Sequence, residues 1–214
     1  MNETYKVQVQ DLVDDLKAVF THAGLGGEAG EYKLLTQSFL YKFLNDKFLY
    51  QAQVLDAGNT YENLLTMSEE DYDWLLEDIG TSTAWLKPDQ LIETLHRQQN
   101  EATFYETFEN TLNQIAIDNN DIFSVHTDGD TAIRLFDERL ITDTISDSSK
   151  RNEVAKAIIN LLTRVKFDET IFSQGFDFFS TLFEYMIKDY NKDGGGKYAE
   201  YYTPHSVAKI IADI

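Results

Sequence analysis

Apolar residues recur every three or four positions along most of this chain of 214 residues. That is the period of an α-helix with one buried face. Leu12, Leu16, Val19 and Phe20 form a first stripe, and Leu35, Phe39, Phe43 and Leu44 a second that runs on through Phe48 and Leu55. The stretch "GLGGEAG" between them reads as a flexible link. Its glycines, Gly24, Gly26 and Gly30, do not have the spacing of a dinucleotide-binding loop, and no strand precedes them. In "SEEDYDWLLEDIG", Ser68 reads as an N-cap, the acids behind it favour the helix dipole, and Gly80 ends the helix. "KPDQLIETLHRQQ" places Pro88 near a first helical position.

Further on, Phe104, Phe108, Leu112 and Ile115 share one helical face. "NNDIFSVHTDGDTAIRLFDERLIT" has no clear period and predicts a loop with one short strand or 3₁₀ turn. "RNEVAKAIINLLTRV" is amphipathic through Val154, Ile158, Leu161, Leu162 and Val165. "FDFFSTLFEYMIKDY" repeats the pattern with Phe179, Phe183, Met186, Ile187 and Tyr190. Pro88 and Pro204 are the only prolines, so long helices are permitted almost throughout. The aromatic stripes read as packed core. The expected fold is all-α, a multi-helix bundle to which both ends of the chain contribute.

Composition sharpens this picture. Hydrophobic residues make up 43% of the chain and aromatics 13%, enough to build a core and too much for a disordered chain. Lys and Arg number 18 against 37 Asp and Glu, a net charge of −19. Such a surface repels phosphates, so the chain taken alone is a poor nucleic-acid binder and suits docking onto a basic protein. There is no cysteine, which excludes disulfides, thiolate zinc sites and cysteine nucleophiles. "MNETYKVQVQDLVDDL" lacks the pattern of a signal peptide, and no apolar run is long enough to span a bilayer, so a cytoplasmic location is expected.

Catalytic patterns are absent. His22, His96, His126 and His205 are scattered, with no ligand pair among them. No nucleophile elbow and no phosphate-binding loop occurs. The acidic clusters, Asp11, Asp14 and Asp15 or Glu69, Glu70 and Asp71, fall on solvated helix positions rather than in a carboxylate pair. No catalytic residue and no metal site is expected within these residues.

The closing stretch, "DYNKDGGGKYAEYYTPHSVAKIIADI", admits two readings. Asp189, Asn191, Asp193, Gly194 and Glu200 have the spacing of an EF-hand calcium loop. Three features oppose it. Pro204 would fall inside the second helix, costing about 3 kcal/mol or more. Gly196 stands where an aliphatic residue pairs with a sister loop, and three successive glycines raise the cost of ordering the cage. Breaking the segment at the proline gives a coherent alternative. "YYTP" is then extended, Thr203 is the N-cap, Pro204 the first helical residue, and "HSVAKIIADI" an amphipathic helix through Val207, Ile210 and Ile211. The free N–H groups of such a helix start attract an anion, and the tyrosines offer flat surfaces to a small ligand.

Residues 180–214 resemble the junction in modification (M) subunits of type I restriction-modification systems. The matching pieces are Phe183-Glu184-Tyr185-Met186, the linker Gly194 to Lys197, and Tyr201-Tyr202-Thr203-Pro204. In that family they lead into the first helix of an adenine-specific DNA methyltransferase domain. The resemblance implies a helical N-terminal domain over residues 1–190. Residues 191–214 would be a linker and the first helix of a truncated α/β methyltransferase domain. It further implies that Glu200, Tyr201, Tyr202, Thr203, Pro204 and His205 help hold S-adenosylmethionine in the parent enzyme. Two positions depart from the family's pattern: Ala199 replaces a common glycine, and His205 a common basic residue.

The family's Asn/Asp-Pro-Pro-aromatic block, which holds the flipped adenine, has no counterpart, because no Pro-Pro pair exists. The 214 residues alone are therefore expected to be a truncated piece without methyl transfer, binding the cofactor weakly or not at all. The parent would move a methyl group from S-adenosylmethionine to the exocyclic amine of adenine in DNA. Its partners would be a specificity subunit, a second M subunit and a restriction subunit, with this region serving assembly and closure around DNA. The alternatives from other classes are a stand-alone acidic helical interaction module or DNA mimic, and an EF-hand-like calcium binder.

Overall fold

The computed structural model of the chain describes residues 3–26, 29–81, 83–123 and 134–172. The chain divides into two compact units, Met1–Phe176 and Asp177–Ile214, and all described residues belong to the first. The expected helix through Phe179 to Tyr190, the boundary at 190/191 and the calcium-loop pattern lie outside the described residues. What is described is all-α: ten α-helices and two 3₁₀ turns, with no strand among the described residues.

The centre is α2 (Ala29–Leu55), which packs against α1 (Glu3–Ala23), α4 (Glu69–Ile79), α8 (Leu140–Thr144) and α9 (Arg151–Leu162). Leu34, Leu35, Phe39, Leu44, Phe48 and Ala52 are buried along it. So are Glu31, Ser38, Lys42, Asn45 and Asp46, so this helix is enclosed on several faces rather than one. Each large apolar side chain fully buried contributes about 1.5–3 kcal/mol. The expected stripe is right for Leu35, Phe39, Leu44 and Phe48. Phe43 is only half-buried, and Leu55 is 49% exposed. The reason for the latter is length: a helix of 27 residues outreaches α4 and α9, of 11 and 12 residues.

In α1, Leu12, Leu16 and Phe20 are buried as expected, together with Val9 and Val13. Val19 is half-buried instead, at the edge of the face that packs on α9. The latter buries Val154, Ile158, Leu161 and Leu162, while Val165 lies past its end at Thr163 and is half-buried. Helix α6 (Phe104–Asp118) buries Phe104, Phe108, Leu112 and Ile115 completely, as its period predicts, and packs on α9.

The local stop signals act as read. Ser68 caps α4, its hydroxyl accepting the Asp71 N–H at 3.2 Å. Gly80 ends the helix at φ 63°, a conformation that disfavours any side chain. The short helix α3 (Tyr61–Thr66), capped by Thr60, has no counterpart in the sequence expectation. Pro88 opens only a 3₁₀ turn, Pro88–Gln90. Leu91 then turns extended, and α5 (Ile92–Gln98) starts four residues later than the proline suggests. Side chains from elsewhere decide this. Gln90 folds back to accept the Lys87 N–H at 2.8 Å, and Asn45 from α2 accepts the Ile92 N–H at 2.9 Å.

The irregular stretch after α6 also differs from expectation. Its described ends carry short helices, α7 (Asn120–Phe123) and α8, where a loop is expected, while residues 124–133 between them lie outside the described residues. Helix α8 is held by Glu109 of α6, which accepts both the backbone N–H and the hydroxyl of Thr142. A 3₁₀ turn, Ser148–Lys150, follows, then α9 and, last among the described residues, the single turn α10 (Glu169–Phe172).

Candidate functional site

The described residues hold one dense buried polar node, and it forms on α2. Lys42 and Asp46 stand one helical turn apart, and the ammonium lies 2.9 and 3.0 Å from the two carboxylate oxygens. Asn45 donates its amide to Asp46 at 2.8 Å and accepts from the Ile92 main chain. The second Asp46 oxygen accepts the Phe167 N–H at 2.7 Å. Lys42 also sits over the Phe167 ring, 5.7 Å from its centroid. Burial lowers the Lys42 pKa, opposed by the adjacent Asp46 charge. Three residues of one helix thus tie it to the start of α5 and to the segment before α10.

A second group clamps the extended connection between α4 and α5. The Tyr41 hydroxyl donates to the Gln90 carbonyl at 2.6 Å, and the Tyr72 hydroxyl to the Leu86 carbonyl at 2.6 Å. Burial raises the pKa of both tyrosines, with the nearby Asp89 charge adding to it. Asn119 exchanges hydrogen bonds with both main-chain groups of Trp85, at 2.6 and 2.8 Å. Asp118 accepts from Gln90, Gln114 and Lys87. Partial burial pushes its carboxyl up, and those hydrogen bonds outweigh it, so its pKa falls below the ordinary value.

Chemically, both groups are spent on holding backbone. A reacting carboxylate or amine needs access and a free lone pair or proton at the site of reaction. Asp46 and Lys42 are about 95% covered and are hydrogen-bonded to each other and to main chain. The arrangement is a scaffold, and it escaped the sequence reading because "LYKFLNDKFLY" looks like an ordinary amphipathic face. The available signal was Lys42 and Asp46 at i and i+4 with Asn45 beside them, in a helix rich in large apolar residues.

The expected acidic clusters lie where the sequence placed them. Asp11, Asp14, Asp15, Glu69, Glu70 and Asp71 are all exposed. His22 is exposed on α1, and the His96 ring meets the Asn160 side chain at 3.1 Å. Among the described residues no group of three or more His, Asp or Glu is gathered as for a metal ion, and no helix is long and apolar enough to cross a membrane. Between α1 and α9 lies a cleft of about 370 Å³ whose lining mixes Val19, Ala23, Val154 and Ala157 with His22, Lys150 and Glu153.

The expected cofactor residues, Glu200, Tyr201, Tyr202, Thr203, Pro204 and His205, lie outside the described residues, as do His126 and the calcium-loop pattern. Comparison with known proteins bears on that same segment. No curated protein and no solved structure matches the chain. Residues 174–214, which contain the whole aromatic-Thr-Pro block, match the family model for N-6 DNA Methylase.

Proposed function

We propose that these 214 residues are the helical N-terminal region of a type I M subunit, running into the first helix of its adenine-specific methyltransferase domain. The observation that carries this reading is the family match over residues 174–214, which falls on the linker and the Tyr-Tyr-Thr-Pro block. The all-α fold of the described residues supports the reading, because a helical N-terminal domain is what the resemblance implies. In this view S-adenosylmethionine supplies the methyl group in the parent. Glu200 to His205 contribute to its pocket, Thr203 and nearby N–H groups meeting its methionine end. The region would work in the cytoplasm, in a complex with specificity, restriction and second M subunits on DNA.

Two experiments test it. The reading frame beyond Ile214 should encode a glycine-rich cofactor loop and an Asn/Asp-Pro-Pro-aromatic block; their absence there would end the proposal. Calorimetric titration of the 214-residue chain with S-adenosylmethionine should give little or no heat. The full-length subunit should bind it, and Thr203→Ala should weaken that binding about tenfold, the loss of roughly one hydrogen-bonded contact to a charged group.

A second reading is favoured by the charge of −19. A free-standing acidic helical protein would bind a basic DNA-binding protein in competition with DNA. Full-length protein that lacks cofactor binding but displaces DNA from such a partner would replace the first reading with this one.

A further inference from the structure

Trp74 is 61% exposed, on a helix that buries its other large side chains. Tyr72, Leu75 and Ile79 face the core of α4, with Leu76 half-buried beside them. The opposite face carries Trp74 with Glu70 and Asp71 one turn before it and Glu77 and Asp78 one turn after. All four carboxylates are exposed, and no ion pair involving them is found among the described residues. Trp85, by contrast, is half-buried and donates its indole N–H to the Gly80 carbonyl at 2.6 Å.

This combination is unlike an ordinary solvated helix face. Tryptophan is seldom left in water, because its ring carries more apolar area than any other side chain. Exposed tryptophans are disproportionately the anchors of protein interfaces. The charges around this one select the partner. A ring whose face attracts cations, set amid four carboxylates of which Asp71 accepts only the Ser68 hydroxyl, fits guanidinium and ammonium groups and repels phosphates. A second copy of this chain, itself at −19, is also opposed by charge.

We propose that the exposed face of α4 is a docking surface for an Arg- and Lys-rich segment of a partner protein, with Trp74 as its anchor. The surface is complete within the described helical unit, so the proposal stands independently of the methyltransferase reading. In a multisubunit enzyme it would be an assembly contact.

The test uses the full chain and a fluorescein-labelled helical peptide with arginines on one face, followed by anisotropy. The same peptide with glutamate in place of arginine serves as the control. The arginine peptide should bind and the glutamate peptide should not. Trp74→Ala should weaken binding about tenfold, as for the loss of an interface anchor. The triple variant E70Q/E77Q/D78N should weaken it as well and flatten its salt dependence. The charge-matched triple E93Q/E101Q/D121N, which removes exposed acids elsewhere, should leave it unchanged. Thermal melts should show all four proteins cooperatively folded, since every altered residue is exposed.

Equal weakening by the two triples would mean general attraction to an acidic protein and would overturn the proposal. So would unchanged binding by Trp74→Ala. Sedimentation of wild type and Trp74→Ala gives a further check. A dimer present only in the wild type would assign the face to a second copy and overturn the cationic partner.

Discussion

Asp46 is the residue whose removal should be felt most. It accepts from Lys42, Asn45 and the Phe167 main chain, all in buried surroundings. Truncation leaves a buried ammonium and two buried donors without their acceptor. Asp46→Ala should therefore cost about 3–5 kcal/mol, read as a lower urea midpoint. The double variant K42M/D46L removes the stranded charge, yet still orphans the Phe167 N–H and the Asn45 amide. It should recover part of the loss and remain below wild type. Recovery to full wild-type stability would show that the ion pair alone matters. The tyrosines make a pH prediction. Tyr41 and Tyr72 have folded-state pKa values above the unfolded value of about 10. Their contribution is intact below that pH and is lost above it, because the unfolded chain releases protons there that the folded chain retains. The melting temperature should fall as pH rises past about 10, and Tyr41→Phe should shallow that fall. At neutral pH the same variant should cost about 1 kcal/mol for the lost bond to Gln90.

At the scale of elements, close approach and capping decide the outcome. A Cβ at Gly30 would stand 2.7 Å from Cγ2 of Thr144, so the start of α2 and the end of α8 meet with no room for a methyl group. Gly30→Ala should cost about 1–3 kcal/mol, the typical range for overpacking. Thr144→Ser deletes the offending carbon and should rescue most of that cost; no rescue would place the strain elsewhere. Ser68→Ala should cost about 1 kcal/mol by uncovering the start of α4. Elements with their signals in the local sequence were legible: Ser68 and Gly80 bracket α4, and four apolar residues at helical spacing define α6. The start of α5 was not. Pro88 is a sound local start signal, but Asn45 and Gln90, acting from a distant helix and a neighbouring turn, move the helix start to Ile92. Nor was α8, whose five residues depend on Glu109 of α6 for their N-terminal hydrogen bond. The proposed cofactor segment was legible as a pattern of aromatic residues, Thr and Pro, and the family match falls on it.

For the whole molecule, the charge of −19 sets the balance of long-range forces. Self-repulsion destabilises the compact state, whereas exposed ion pairs such as Arg97–Glu62 are screened by solvent and contribute little. Repulsion should win. Raising KCl from about 0.05 M to about 0.5 M shortens the Debye length well below the spacing of most surface charges and should raise the melting temperature. A lower melting temperature would mean that the ion pairs outweigh the repulsion. The same acidity is what the proposed docking face of α4 relies on to prefer a cationic partner over phosphates.

The linear sequence by itself determined that this protein is helical, because apolar spacing and the scarcity of proline act through local geometry that no distant contact need supply. It also determined the acidity of the surface and the aromatic-Thr-Pro pattern near the end, which are properties of residue identity and order. Only the tertiary structure decided that α2 lies at the centre, that Lys42, Asn45 and Asp46 on it are buried, and that Trp74 is left outside. Those outcomes depend on which faces meet across the bundle, and a helical period says that a face is buried without saying against what.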